Sequence, residues 1–92
     1  MSGDRRQVRV IYDGEVQGVG FRYTARGIAT RLGATGGAEN LPDGTVRLVA
    51  EGPEDVLRQF LLQIRVSHLG PRISNEKVDW GEAQGLEGFY YR

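Results

Sequence analysis

The stretch Val16-Gln17-Gly18-Val19-Gly20-Phe21-Arg22 separates two hydrophobic periods, and that switch constrains the fold more than any other feature. Before it, Val8, Val10 and Tyr12 alternate with Arg9, Ile11 and Asp13, the period of a strand over Gln7 to Tyr12. After it, Phe21, Ala25, Ile28, Ala29 and Leu32 form one apolar stripe of an amphipathic helix, with Arg22, Arg26 and Arg31 off the stripe. Gly33 is placed to cap that helix, and Gly27 inside it costs about 1 kcal/mol relative to Ala, so the helix depends on packing. The chain must therefore turn from strand to helix within a glycine-bearing loop.

Such a loop has a chemical use. Gly18 and Gly20 lack the Cβ that would block close approach to the backbone. The helix start adds unpaired N–H groups and a partial positive charge. Arg22 adds a planar fork of donors matched to phosphate, although a cation is normally disfavoured at a helix N-terminus. An arginine placed against the dipole calls for an anion. Most strand-to-helix glycine loops are only turns, but this one reads as a cradle for a phosphoryl group.

The remaining chain supplies a second half of the same pattern. Thr35 to Leu41 is a weak strand, because Gly36, Gly37 and Ala38 offer little side-chain area. Its reality rests on the next two segments: Pro42-Asp43-Gly44 is a turn, and Thr45 to Glu51 alternates clearly, with Val46, Leu48 and Ala50 on one face. A hairpin needs a partner before its turn, and only Thr35 to Leu41 is available. The poor packing area predicts loose positioning of whatever that weak strand carries. Gly52-Pro53-Glu54-Asp55 opens a second helix, with Pro53 at the first helical position and Leu57, Phe60, Leu61 and Ile64 on its buried face. Gly70-Pro71 lies beyond its end. Ile73 to Trp80 is a last strand, Gly81 to Gly88 a glycine-bearing loop, and Phe89 to Arg92 a tail able to pair at an edge.

The order β-α-β-β-α-β, with a short C-terminal strand, predicts an α+β, ferredoxin-like split βαβ sandwich: an antiparallel sheet with two helices on one face. In that topology the strands lie in the order fourth, first, third, second. The first and second strands then run the same way, with their C-terminal ends about 10 Å apart, two strand spacings. Asn40 ends the second strand and comes opposite the cradle. By itself Asn40 is an ordinary neighbour of a turn; only the topology makes it a candidate.

Composition removes several classes of function. The 92 residues point to one domain, residues 1–92, with the polar N-terminal residues 1–6 expected to be flexible. Twelve basic residues balance twelve acidic ones without a like-charge block, which leaves no footprint for nucleic acid or an anionic membrane. With no cysteine there is no disulfide, Cys zinc site or cysteine nucleophile. Neither a secretory signal nor a membrane span is legible, so a cytoplasmic monomer is the expectation. His68 reads as a partner for a helix C-terminus, not as a metal ligand. Asp13 and Glu15 read as solvent-facing charges. Glu15 should weaken anion binding if it faces the cradle and matter little if it faces water. Trp80, Tyr90 and Tyr91 read as packing or edge-strand residues and not as a base-stacking face.

The blocks Gly14-x-Val16-Gln17-Gly18-Val19-Gly20-Phe21-Arg22, Gly36-x-x-x-Asn40 and Asp43-Gly44-x-Val46 resemble the acylphosphatase family, and the element order matches from about Gln7 to Arg92. The resemblance implies a ferredoxin-like sandwich that hydrolyses the carboxyl–phosphate bond of acyl phosphates, with no metal or organic cofactor. It implies Arg22 as the phosphate-binding arginine and Asn40 as the water-positioning residue. The backbone of Val16, Gln17, Gly18, Val19, Gly20 and Phe21 would be the phosphate loop. The partners implied are a small acyl phosphate and inorganic phosphate as product or inhibitor. A non-catalytic phosphate-binding or regulatory domain is the competing reading, and a ferredoxin-like RNA-binding module a distant third.

Overall fold

β1 (Arg6–Gly14) forms because every second residue can be buried: Val8, Val10 and Tyr12 are fully inaccessible. These coordinates are a computed structural model, in which residues 4–92 are described. Residues 1–3 of the N-terminal stretch expected to be flexible lie outside the described residues, and β1 already begins at Arg6.

The other elements are, in chain order, α1 (Phe21–Leu32), β2 (Thr35–Asn40), β3 (Val46–Gly52), α2 (Glu54–Val66), a short 3-10 turn (Gly70–Arg72), β4 (Ile73–Glu82) and β5 (Phe89–Tyr91). The sheet order is β4-β1-β3-β2-β5. β1 pairs antiparallel with β3 and β4, and β2 pairs antiparallel with β3, as the split βαβ topology requires. β5 adds to the free edge of β2 in parallel, so the whole sheet is mixed and not purely antiparallel. Its direction comes from the 83–88 loop, which carries the chain across the sheet before β5 starts.

Both helices pack on the face that presents Val8, Val10, Tyr12, Val46 and Leu48, and together they enclose one apolar core. α1 contributes Phe21, Ala25, Ile28 and Ala29; α2 contributes Leu57, Phe60, Leu61 and Ile64. Burying each of the larger of these side chains stabilises by roughly 1.5–3 kcal/mol. Gly33 closes α1 with φ 80°, its N–H donating to the Ala29 carbonyl. Pro53 is the N-cap of α2 and Glu54 its first residue, one position later than the sequence suggests.

The glycine-rich β2 is better held than its side chains predict. The ring of Tyr90, its partner in β5, lies where a Cβ on Gly37 would sit. An aromatic side chain from the neighbouring strand thus fills the volume that the glycine leaves. Glu39 pairs with Arg47 across the strands at 2.7 Å, which neutralises its charge. β2 is also tied to the C-terminus by the Asn40 N–H to Arg92 carbonyl bond and the Arg92 N–H to Ala38 carbonyl bond, each 3.0 Å.

A buried carboxylate anchors the loop that leads to β5. Glu51 is fully inaccessible and accepts from the Gln7 side-chain amide at 2.7 Å and from the backbone N–H groups of Gln84 at 2.7 Å, Gly85 at 3.0 Å and Leu86 at 2.9 Å. Burial alone would raise its pKa. The N–H groups of Gln84 and Leu86, the Gln7 amide and the N–H of Gly85 outweigh that and hold it below the usual carboxylate range.

Candidate active site

The cradle begins at a bulge. The β1–β4 register shifts between Asp13 and Gly14, and the Glu15 N–H donates to the Arg72 carbonyl at 2.9 Å. A Cβ on Gly14 would collide with that same carbonyl, so the position admits only glycine. The bulge ends pairing and sends the chain over the top of β3. Glu15 points to solvent, 85% exposed, with Arg72 3.6 Å away. Of the two placements considered for Glu15, the structure shows the solvent-facing one, outside the cleft.

From here the backbone turns on Gly18 (φ 76°) and Gly20 (φ 80°, ψ 21°), the latter the N-cap of α1. A side chain at either would meet no neighbour; the constraint is the left-handed conformation. Among the described residues, the backbone N–H groups of residues 16–23 make no hydrogen bond to protein. The first turn of α1 contains no acidic residue and Gly20 gives no side-chain cap, so among the described residues no such group meets the positive end of this helix.

The residues Val16, Gly18, Gly20, Phe21, Arg22, Tyr23, Asn40 and Tyr91 line one small cleft of about 50 Å³. Arg22 and Asn40 thus share one pocket, as the topology predicts. Val16 and Phe21 are its buried floor, and Phe21 packs on Tyr12 with ring centroids 4.8 Å apart. Among the described residues neither the Arg22 guanidinium nor the Asn40 side-chain amide is engaged in a hydrogen bond or ion pair within the chain. Arg22 instead stands 5.2 Å from the centroid of the Tyr91 ring.

Gln17 and Val19, both in the expected loop, do not line the cleft. Gln17 turns its side chain away and donates from Nε2 to the carbonyls of Leu41 at 2.8 Å and Thr45 at 2.9 Å. One amide therefore clips the cradle to the β2–β3 turn, directly after Asn40. That turn is internally braced: Asp43 accepts from the Thr45 hydroxyl at 2.6 Å and the Thr45 N–H at 3.0 Å, which lowers its pKa in the same order of effect. Val19 packs at the margin of the core, and its carbonyl lies 3.3 Å from His68 Nε2. His68 thus touches the loop from outside.

Two lining residues, Tyr23 and Tyr91, are not placed in the cleft by sequence reasoning. Tyr23 is simply the residue after Arg22 in the first turn of α1. Tyr91 is the more distant of the two. Its spacing from Phe89 does put both on the helix-side face of β5, but only the parallel pairing to β2 brings that face beside α1. Trp80 packs beneath the guanidinium groups of Arg58 at 5.0 Å and Arg6 at 5.3 Å, in keeping with a packing role.

An arginine, a helix N-terminus, backbone donors without a protein acceptor among the described residues and a neutral amide meet at one small cleft on a split βαβ fold, a donor set chemically suited to a phosphoryl group. The acylphosphatase family model matches residues 8–90, and this chain belongs to that family. An acylphosphatase of Thermus thermophilus is 48% identical over 77 residues, 84% of this chain and 88% of its own length. Among solved structures, the acylphosphatase of Bacillus subtilis superposes with a TM-score of 0.84 at 35% identity, covering 91% of this chain and 94% of its own. An acylphosphatase from Coxiella burnetii does so with a TM-score of 0.84 at 28% identity, covering 97% and 94%.

Proposed function

We propose that this chain hydrolyses the carboxyl–phosphate bond of acyl phosphates through Arg22, Asn40 and the backbone of residues 16–21. The observation that carries the residue assignment is the convergence of Arg22, Asn40 and the glycine loop on one cleft, beside N–H groups with no protein acceptor among the described residues.

The chemistry asks little else of the protein. The leaving group is a carboxylate, which needs no strong general acid. The Arg22 guanidinium and the loop N–H groups hold the phosphoryl oxygens and balance the charge that develops on them. Asn40 orients a water in line with the scissile bond, its carbonyl accepting and its amide donating. The water oxygen bonds to phosphorus as the phosphorus–acyl oxygen bond breaks, and the carboxylate departs with that electron pair. A phosphoryl oxygen takes the water proton, because an amide is too weak a base to do so. Inorganic phosphate, the product, fits the same donors and should compete with substrate.

Benzoyl phosphate hydrolysis by the parent, Arg22→Ala and Asn40→Ala tests this reading. Loss of one preorganised charge-stabilising donor costs about 10²–10³ in rate. Arg22→Ala should lose at least that much, through weaker binding and slower chemistry. Asn40→Ala should lose turnover while inorganic phosphate still binds. Parent-like hydrolysis by Arg22→Ala would overturn the mechanism. Protection of the parent by phosphate against unfolding, without turnover, would favour a non-catalytic binding domain. The same reading includes one domain over residues 1–92 acting as a cytoplasmic monomer. No helix among the described residues is long and apolar enough to cross a membrane, and light scattering on the purified chain tests the monomer.

A further inference from the structure

We infer that Tyr91 is a positioning residue for Arg22, holding the phosphate-binding guanidinium at the cleft through the face of its ring. The inference rests on the phosphate-binding role proposed for Arg22.

Arg22 has three reasons to leave its place when no anion is bound. It sits in the first turn of α1, where the dipole disfavours a cation. Arg26 lies four residues on along the same helix, a like-charge pair that destabilises. No carboxylate among the described residues pairs with it, whereas Arg47 is held by Glu39, Arg58 by Glu54 and Arg65 by Glu76. What Arg22 does have is Tyr91. The ring centroid lies 5.2 Å from its guanidinium carbon and 6.0 Å from that of Arg26, both within cation–π range.

A ring suits this task better than a carboxylate. A carboxylate would accept the N–H donors that a phosphate needs and would cancel the charge that attracts it. An aromatic face attracts the cation through its quadrupole and leaves the N–H edge and the net charge available. The ring itself is fixed from below. β5 pairs with β2 from Gly36 to Ala38, and the Arg92 N–H to Ala38 carbonyl bond closes the strand just beyond Tyr91. The same strand is bonded to the Asn40 backbone, so one element sets both the cation and the water-orienting amide relative to each other. Tyr91 is still 44% exposed, which leaves its replacement tolerable to the core.

The test compares the parent with Tyr91→Phe, Tyr91→Leu and Tyr91→Trp. KM and kcat are measured for acetyl phosphate and benzoyl phosphate, and inorganic phosphate affinity by competition and by calorimetry. Tyr91→Leu should weaken phosphate by about 2- to 10-fold, the range of a half-exposed cation–π contact, and raise KM for both substrates by the same factor. Tyr91→Phe keeps a ring face and should stay close to the parent. In an Arg22→Ala background, Tyr91→Leu should weaken phosphate no further. A merely structural role would lower the unfolding midpoint without moving phosphate affinity in the folded protein. Unchanged phosphate affinity in Tyr91→Leu would overturn the inference. So would a shift in benzoyl over acetyl selectivity at constant phosphate affinity, which would make the ring a wall for the acyl group. If Tyr91→Leu does not fold, Tyr91→Trp decides: the stronger quadrupole should tighten phosphate, and no tightening overturns the claim. Absence of turnover in the parent would sink the proposed activity alone, since phosphate affinity still reads the Tyr91–Arg22 contact.

Discussion

Replacing Glu51 by alanine should cost more stability than Arg22→Ala, Asn40→Ala or Tyr91→Leu in the cleft. The carboxylate accepts one side-chain and three backbone hydrogen bonds, all between 2.7 and 3.0 Å, and is fully buried. Hydrogen bonds to a charged group contribute about 1.5–3 kcal/mol each. They do not simply add, because the Gln84 and Gly85 positions are exposed and their N–H groups can turn to water once the 83–88 loop lifts. The Gln7 amide cannot do so without disturbing β1. Removing one partner of a buried charged network typically costs about 3–5 kcal/mol, and that is the expected loss. For a domain whose total stability is of order 5–15 kcal/mol, the variant would be marginal. Urea unfolding followed by the single Trp80 reads it; with a slope of roughly 2 kcal/mol per molar, the midpoint should fall by about 2 M.

The same bonds give a pH signature. Because the folded carboxyl is held below its unfolded value of about 4.3, its contribution is complete above that value. It is lost as pH falls through the lower, folded value. The parent should therefore lose this increment in acid, while Glu51→Gln, which keeps the shape without the charge, should lack that part of the acid dependence. A Glu51→Ala midpoint within about 0.3 M of the parent, or an unchanged acid limb in Glu51→Gln, would refute the argument.

Other outcomes rest on single contacts. Gln17→Ala removes the clip between the cradle and the β2–β3 turn; it should lower acyl phosphate turnover about tenfold with a stability loss of about 1–2 kcal/mol, read by kinetics and urea unfolding on the same samples. Tyr12 is buried with a hydroxyl that has no partner among the described residues, and burial, reinforced by Glu76 and opposed by Arg65, pushes its pKa above the usual range. Tyr12→Phe should thus be neutral or stabilising by about 1 kcal/mol in thermal unfolding, where a clear loss would mean the hydroxyl is satisfied. Gly37→Val would displace the Tyr90 ring and should cost about 1–3 kcal/mol, with the double variant Gly37→Val, Tyr90→Ala recovering part of it.

Local pattern was enough wherever the determining residues are neighbours in the chain. The alternation of Val8, Val10 and Tyr12, the stripe from Phe21 to Leu32 and the turn at Pro42-Asp43-Gly44 each carry their own instruction, and the structure obeys them to within a residue or two. The cradle was legible for the same reason: loop, helix start and Arg22 are contiguous. Element order then implied the strand order, because few topologies satisfy short right-handed connections. That was sufficient to bring Asn40 toward the cradle.

Beyond this, side chains distant in sequence decide. β2 looks weak in the sequence, yet Tyr90 fills the space over Gly37 and Arg47 answers Glu39. Glu51 alternates like a surface charge but is buried under the 83–88 loop, a fact set by where that loop crosses the sheet. Tyr91 reads as an edge-strand residue until parallel pairing with β2 lays its ring against Arg22. The sequence by itself determined the elements, their order and the contiguity of the glycine loop, the helix start and Arg22, since these depend on local backbone preference and period. Only the tertiary structure decided what packs around that loop and β2, because an aromatic face, an amide clip and a buried carboxylate act through distances between segments that no local pattern encodes.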